Sequence, residues 1–133
     1  MDIEKTYFKT EFNIETSVGI SYEQLVYLQK LNKNSKTKNT TVLRHIVVDV
    51  ATEIIDGAKI DKKTWEEAII IHDRHVTMLR INEPIKQLLD RVSSSYFLSA
   101  SHFVRYAILK TYYQHFHEDD VRIAKVVSLG KLF

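Results

Sequence analysis

The sequence predicts a mainly α-helical protein that carries a short two-stranded antiparallel ribbon and is built from one unit used twice. Three observations predict this. The 133 residues include three glycines and one proline, too few turn formers for a sandwich or a barrel. Apolar residues recur at steps of three and four along most of the chain. Two stretches, 14–20 and 75–81, instead alternate at a period of two, and each is followed by a helix cap, a helix, a polar break and a second helix.

In the first unit, Phe12, Ile14, Val18 and Ile20 alternate with polar neighbours and predict a strand. Ser21 and Gln24 have the spacing of a capping box, and Leu25, Leu28 and Leu31 continue at helical spacing, which predicts a helix near 22–34. The stretch NKNSKTKNTT, residues 32–41, holds no apolar residue and reads as a polar turn. Val42, Leu43, Ile46, Val47, Val50, Ala51 and Ile54 then define an amphipathic helix near 40–55, with Thr37, Asn39 or Thr40 as its cap and Gly57 as its stop. Thr64 to Glu67 reads as a further capping box, opening a short connecting helix.

The second unit repeats the order. His75–Ile81 alternates, Asn82 caps, Pro84 suits a first helical turn, and Ile85, Leu88, Leu89 and Val92 form one face. Ser93–Ser101 reads as the polar break, and Phe103, Ala107, Ile108, Tyr112 and His115 continue a helix, with His115 on its apolar face as a core or interface residue. An offset of 61 superposes the units without a gap: Thr16 on Thr77, Val18 on Leu79, Ile20 on Ile81, Ser21 on Asn82, Leu28 on Leu89, Leu31 on Val92 and Arg44 on Arg105. Four identities fall between 14 and 54, so the common register of caps, strand face and core face carries the inference of a duplication. The units span 12–56 and 74–117, joined by a linker with a short helix at 57–73 and followed by a tail at 118–133.

One such unit cannot stand alone, because its strand leaves hydrogen-bonding groups unpaired on both edges and its helices enclose no core. Two units pair their strands and pack four helices beneath them. This pattern resembles the ribbon–helix–helix DNA-binding proteins of the Arc, MetJ and CopG type, including tandem forms from archaeal viruses. Ser99-Ala-Ser-His-Phe-Val-Arg-Tyr-Ala-Ile108 is similar to the family's S-x-S-x-L-I-R-x-A-I, and Lys38–Val47 matches its apolar positions and arginine. Arg80-Ile-Asn-Glu83 resembles the family's R-L-P-E junction, with Gly19-Ile-Ser-Tyr22 a looser match. The resemblance implies tandem repeats forming an intramolecular pseudo-dimer whose ribbon enters the major groove of double-stranded DNA.

Alternation then assigns Thr16, Val18, Ile20, Thr77, Leu79 and Ile81 inward and Glu15, Ser17, Gly19, Val76, Met78 and Arg80 toward the bases. Arg80 suits a guanine edge, Met78 or Val76 a thymine methyl, and Gly19 leaves room. The resemblance also implies that phosphates lie against the start of each second helix, at Lys36, Lys38, Asn39 and Thr40 in one unit and Ser99, Ala100 and Ser101 in the other. Arg44 and Arg105, inside those helices, are expected to pack or pair structurally.

Composition narrows the alternatives. No cysteine is present, which excludes a disulfide framework, a thiol nucleophile and thiolate metal sites. No phosphate-binding glycine loop, nucleophile elbow or H-E-x-x-H occurs, so no enzyme, catalytic residue or cofactor is expected. His72 with His75 and His115 with His117 lack a completing ligand set, so no metal is expected. Charges in MDIEKTYFKTEF and the shortness of every apolar run predict neither a signal peptide nor a membrane span, and a cytoplasmic location, the host cell's for a viral protein. The expected role is a transcriptional regulator, most simply a repressor. The rivals are a plasmid relaxosome or partition accessory protein and a helical interaction module of antitoxin or adaptor type. The apolar tail suggests assembly into a homo-oligomer.

Overall fold

The computed structural model describes residues 2–32 and 36–116. The expectations for Lys33, His117 and the tail 118–133, including its docking on a second copy, lie outside the described residues. The chain is mainly helical with one two-stranded antiparallel sheet: α1 (Ile3–Tyr7), β1 (Ile14–Ile20), α2 (Tyr22–Leu31), α3 (Asn39–Ile55), α4 (Lys62–Glu67), β2 (His75–Ile81), α5 (Glu83–Tyr96) and α6 (Ala100–His115).

The strands pair with Ile14 opposite Ile81, Ser17 opposite Met78 and Ile20 opposite His75. An offset of 61 converts every pair in this register into another pair and carries Ser17 onto its own partner, Met78. Val18, Ile20, Leu79 and Ile81 project from one face into the core and are almost wholly buried. The helices pack crosswise beneath. α2 lies on α6 and α5 on α3, α3 and α6 cross each other, and α3 contacts β2 while α6 contacts β1. The core is therefore shared: Leu43, Val47 and Ala51 of α3 meet Phe103, Ala107 and Ile108 of α6 in a single apolar cluster with both strands.

Local chemistry accounts for the element ends. Gln24 Oε1 accepts from Ser21 N–H at 2.9 Å, and the Ser21 hydroxyl accepts from His72 N–H at 2.9 Å, which fastens the connector to the start of α2. Gly57, at φ +101°, donates to Ile54 while Ala58 donates to Glu53, a pair of bonds that closes α3 in the way only a left-handed residue allows. Asn82 Oδ1 caps α5 at Ile85 N–H, and its amide donates to Tyr7 O and Thr10, binding the N-terminal arm.

Four expectations are corrected. Asp61, not Thr64, caps α4; its carboxylate accepts from Lys63 and Thr64 N–H, and Thr64 is buried at the third helical position. None of Thr37, Asn39 and Thr40 caps α3. Lys38 holds that position, Asn39 Oδ1 accepts from Asn32, and Thr40 Oγ1 accepts from Arg80 N–H. The serines 93–95 lie inside α5, where Ser93 returns its hydroxyl proton to Leu89 O and so fits a helix interior. His115 is exposed at the end of α6, beside Phe116.

His102, 1% exposed at the start of α6, has both ring nitrogens engaged: Nδ1 accepts from Leu98 N–H at 3.1 Å and Nε2 donates to Trp65 O at 2.8 Å. That pattern requires the neutral ring, and burial, with help from the Arg105 charge, holds its pKa below the ordinary imidazole value. The unfolded chain therefore takes up a proton that the folded chain refuses. Stability should be level above about pH 7 and fall as pH drops below about 6.5. Urea unfolding between those conditions checks this, with His102→Gln expected to flatten the dependence.

Candidate nucleic-acid interface

The face of the ribbon turned away from the helices carries the pairs Glu15–Arg80, Ser17–Met78 and Gly19–Val76. Val76 and Met78 are 65% and 44% exposed, an unusual arrangement for apolar side chains directly behind a buried sheet face. Arg80 is engaged: its Nε and Nη2 donate to Glu15 Oε1 at 2.9 and 2.6 Å. Both partners remain largely in water, so this is an exchangeable surface pair. Gly19 differs from expectation. It is buried, because the Arg74 guanidinium fills the space that the missing side chain leaves.

Two arginines fasten the ribbon to the helices from opposite sides. Arg44 of α3 donates from Nη1 to Arg80 O at 3.0 Å, and Arg105 of α6 donates from Nη1 to Gly19 O at 3.0 Å. One hydroxyl completes each clamp: Thr40 Oγ1 accepts from Arg80 N–H at 3.2 Å and Ser101 Oγ from Gly19 N–H at 3.3 Å. α3 thus grips β2 and α6 grips β1 through residues that correspond at a 61-residue offset. The clamps differ in what surrounds them. Arg105 Nε also reaches Ala68 O at 2.6 Å, whereas Arg44 lies 3.6 Å beneath the Phe12 ring and its buried Nε has no partner.

The residues expected to meet phosphate divide accordingly. Lys36 and Lys38 are exposed at the start of α3, where no side chain caps the helix. Asn39 faces the turn, and Thr40 faces the ribbon. At α6, exposed Ser99 caps the helix by accepting from His102 N–H, Ala100 is half-buried, and Ser101 is committed to the ribbon. The two helix starts flank the ribbon face, but among the described residues no side chain accepts from the first N–H groups of α3, whereas Ser99 does so at α6. A groove beside it is lined by the cations Lys9, Lys38, Arg44 and Arg80 and by the carboxylates Glu11 and Glu15.

Sequence reasoning missed Arg74 and Lys9. The signal for Arg74 was present, since it shares the even-numbered parity of Val76, Met78 and Arg80 one step before the strand. Lys9 lies on an arm positioned by Asn82 and by the stacking of Phe8 on His45, 4.4 Å between centroids, and no local pattern reports that.

Among the described residues, no cluster of three or more His, Asp or Glu is placed to hold a metal ion, and no helix is long and apolar enough to cross a membrane. No family model, curated protein or solved structure matches the chain.

Proposed function

We propose that this protein is a sequence-specific double-stranded DNA-binding regulator, a tandem ribbon–helix–helix chain whose two units form an intramolecular pseudo-dimer. The observation that carries the reading is the pair of arginine–hydroxyl clamps. They recur at the offset that also makes the strand register symmetric about Ser17 and Met78, and they hold an exposed ribbon face between two helix starts. A two-stranded ribbon fits the major groove, where every base pair presents a distinct pattern of donors and acceptors. The lysines at the start of α3 and its uncapped N–H groups suit a phosphate, which fixes position without reading sequence.

The two halves of the face are chemically unlike, with an acid–arginine pair at one end and a glycine at the other. The expected subsite for one chain is therefore not palindromic. Repression follows most simply from occupying a promoter.

A gel shift on random-sequence duplex across a salt series tests the reading. With four to six phosphates neutralised, log affinity should fall against log salt with a slope of about −4 to −5. Absence of binding even at low salt would favour the interaction-module alternative, for which exposed Ile70, Tyr96 and Leu98 provide the apolar surface.

A further inference from the structure

We propose that Arg74, seated over Gly19, reads a guanine edge at the end of the ribbon opposite Arg80. This inference rests on the DNA-binding reading above and adds a specificity residue to it.

The seat is built by the glycine. A Cβ at Gly19 would stand 3.0 Å from Arg74 Nε and 3.5 Å from both Cζ and Nη2, so the guanidinium lies in close contact over the glycine, and a methyl there would press it aside by a few tenths of an ångström. Alternation along β2 puts Arg74 on the same face as Val76, Met78 and Arg80, and in the antiparallel register it lies diagonal to Gly19, which pairs with Val76. Just before it, Asp73 takes φ +48°, a left-handed backbone that an aspartate tolerates and that turns the chain toward the strand.

The charge at this end is uncompensated. Arg80 is neutralised by Glu15. Among the described residues no hydrogen bond or ion pair engages the Arg74 guanidinium, and Asp73 makes no ion pair with it. Directly beneath, Arg105 bonds Gly19 O, and its pKa is held down by burial first and by the Arg74 charge second. Two guanidinium groups thus meet on one glycine with no acid between them, and Arg74, the exposed one, presents its donors to solvent. A planar fork of donors without an acceptor, aimed from a ribbon face, matches the O6 and N7 acceptors of guanine in the major groove. The ribbon then carries a guanidinium at each end, Arg74 with its donors free and Arg80 held in an exchangeable pair with Glu15.

The test uses the full chain and a pool of random-sequence duplexes. Wild-type selection should return a motif with guanine preferred at both ends. Arg74→Ala should lose the preference at one end only, by about 10–100-fold in discrimination, with affinity for unrelated duplex little changed. Arg80→Ala should lose it at the other end. An unchanged motif with Arg74→Ala, or an equal loss on every duplex with a shallower salt slope, would overturn the proposal; the second outcome assigns Arg74 to a phosphate. Wild-type protein that binds no duplex would instead reject the DNA-binding reading itself.

Discussion

Arg105→Ala is expected to destabilise the protein by about 3–5 kcal/mol, among the largest effects open to a polar side chain here. Arg105 is 5% exposed, and its guanidinium donates to two carbonyls from different parts of the chain, Gly19 O on β1 and Ala68 O after α4. Truncation leaves both acceptors in an apolar setting without a donor, each costing about 1–3 kcal/mol, and removes the charge assistance that strengthened the bonds. It also releases β1 from α6, so the ribbon should loosen before the helices do. The corresponding Arg44→Ala should cost about half as much. Arg44 makes one such bond, to Arg80 O, and already carries an unpartnered Nε in the folded state. Thermal unfolding checks both, with the Arg105 variant melting roughly 10–20 °C lower. Arg105→Lys should recover little, because a single ammonium cannot span carbonyls that a planar fork joins. A loss below about 1 kcal/mol for Arg105→Ala would mean that water takes over both carbonyls, and would remove the energetic basis of the clamp.

The antiparallel pairing and the burial of one ribbon face were legible in the sequence, the face because it follows from a period of two. The register itself was not, because a slip of two residues leaves Val18, Ile20, Leu79 and Ile81 on the same face. The helices were legible because their apolar stripes are long. Illegible features depend on partners distant in sequence. Arg44 and Arg105 stand out as polar residues on apolar stripes, yet nothing local names Arg80 O and Gly19 O as their acceptors. Thr40 and Ser101 looked available for phosphate because a hydroxyl at a helix start normally caps it; here the strand N–H groups take them. α1 is five residues long, shorter than any periodicity can register, and packs on α5 through an arm bonded to Asn82. Arg74 lies one residue before the alternating strand, outside the pattern that marks the ribbon, and Gly19 reads as empty space although its lack of a side chain is what admits another.

Under the proposed DNA-binding function, Met78→Glu should lower affinity for duplex by at least about 100-fold at low salt, while leaving stability within about 0.5 kcal/mol. Met78 sits at the midpoint of the ribbon opposite Ser17, 44% exposed, so a glutamate there keeps its charge in water when the protein is free. In the major groove the same carboxylate meets phosphates on both sides and mostly acceptor atoms on the base edges; only the amino groups of cytosine and adenine offer it a donor. The cost is local repulsion plus desolvation, and no other contact on the face can offset it, because the mutated position lies on the axis that the two halves share. Met78→Lys separates charge from shape: it should keep or raise affinity for random duplex while changing the selected motif at its centre only. Lys38→Ala, by contrast, should weaken binding to all duplexes alike and reduce the salt slope by about one, as the loss of a single phosphate contact does. Fluorescence anisotropy with labelled duplex distinguishes these three patterns. If Met78→Glu binds within a few-fold of wild type while Lys38→Ala loses affinity, DNA lies along the helix starts and the ribbon face is turned elsewhere.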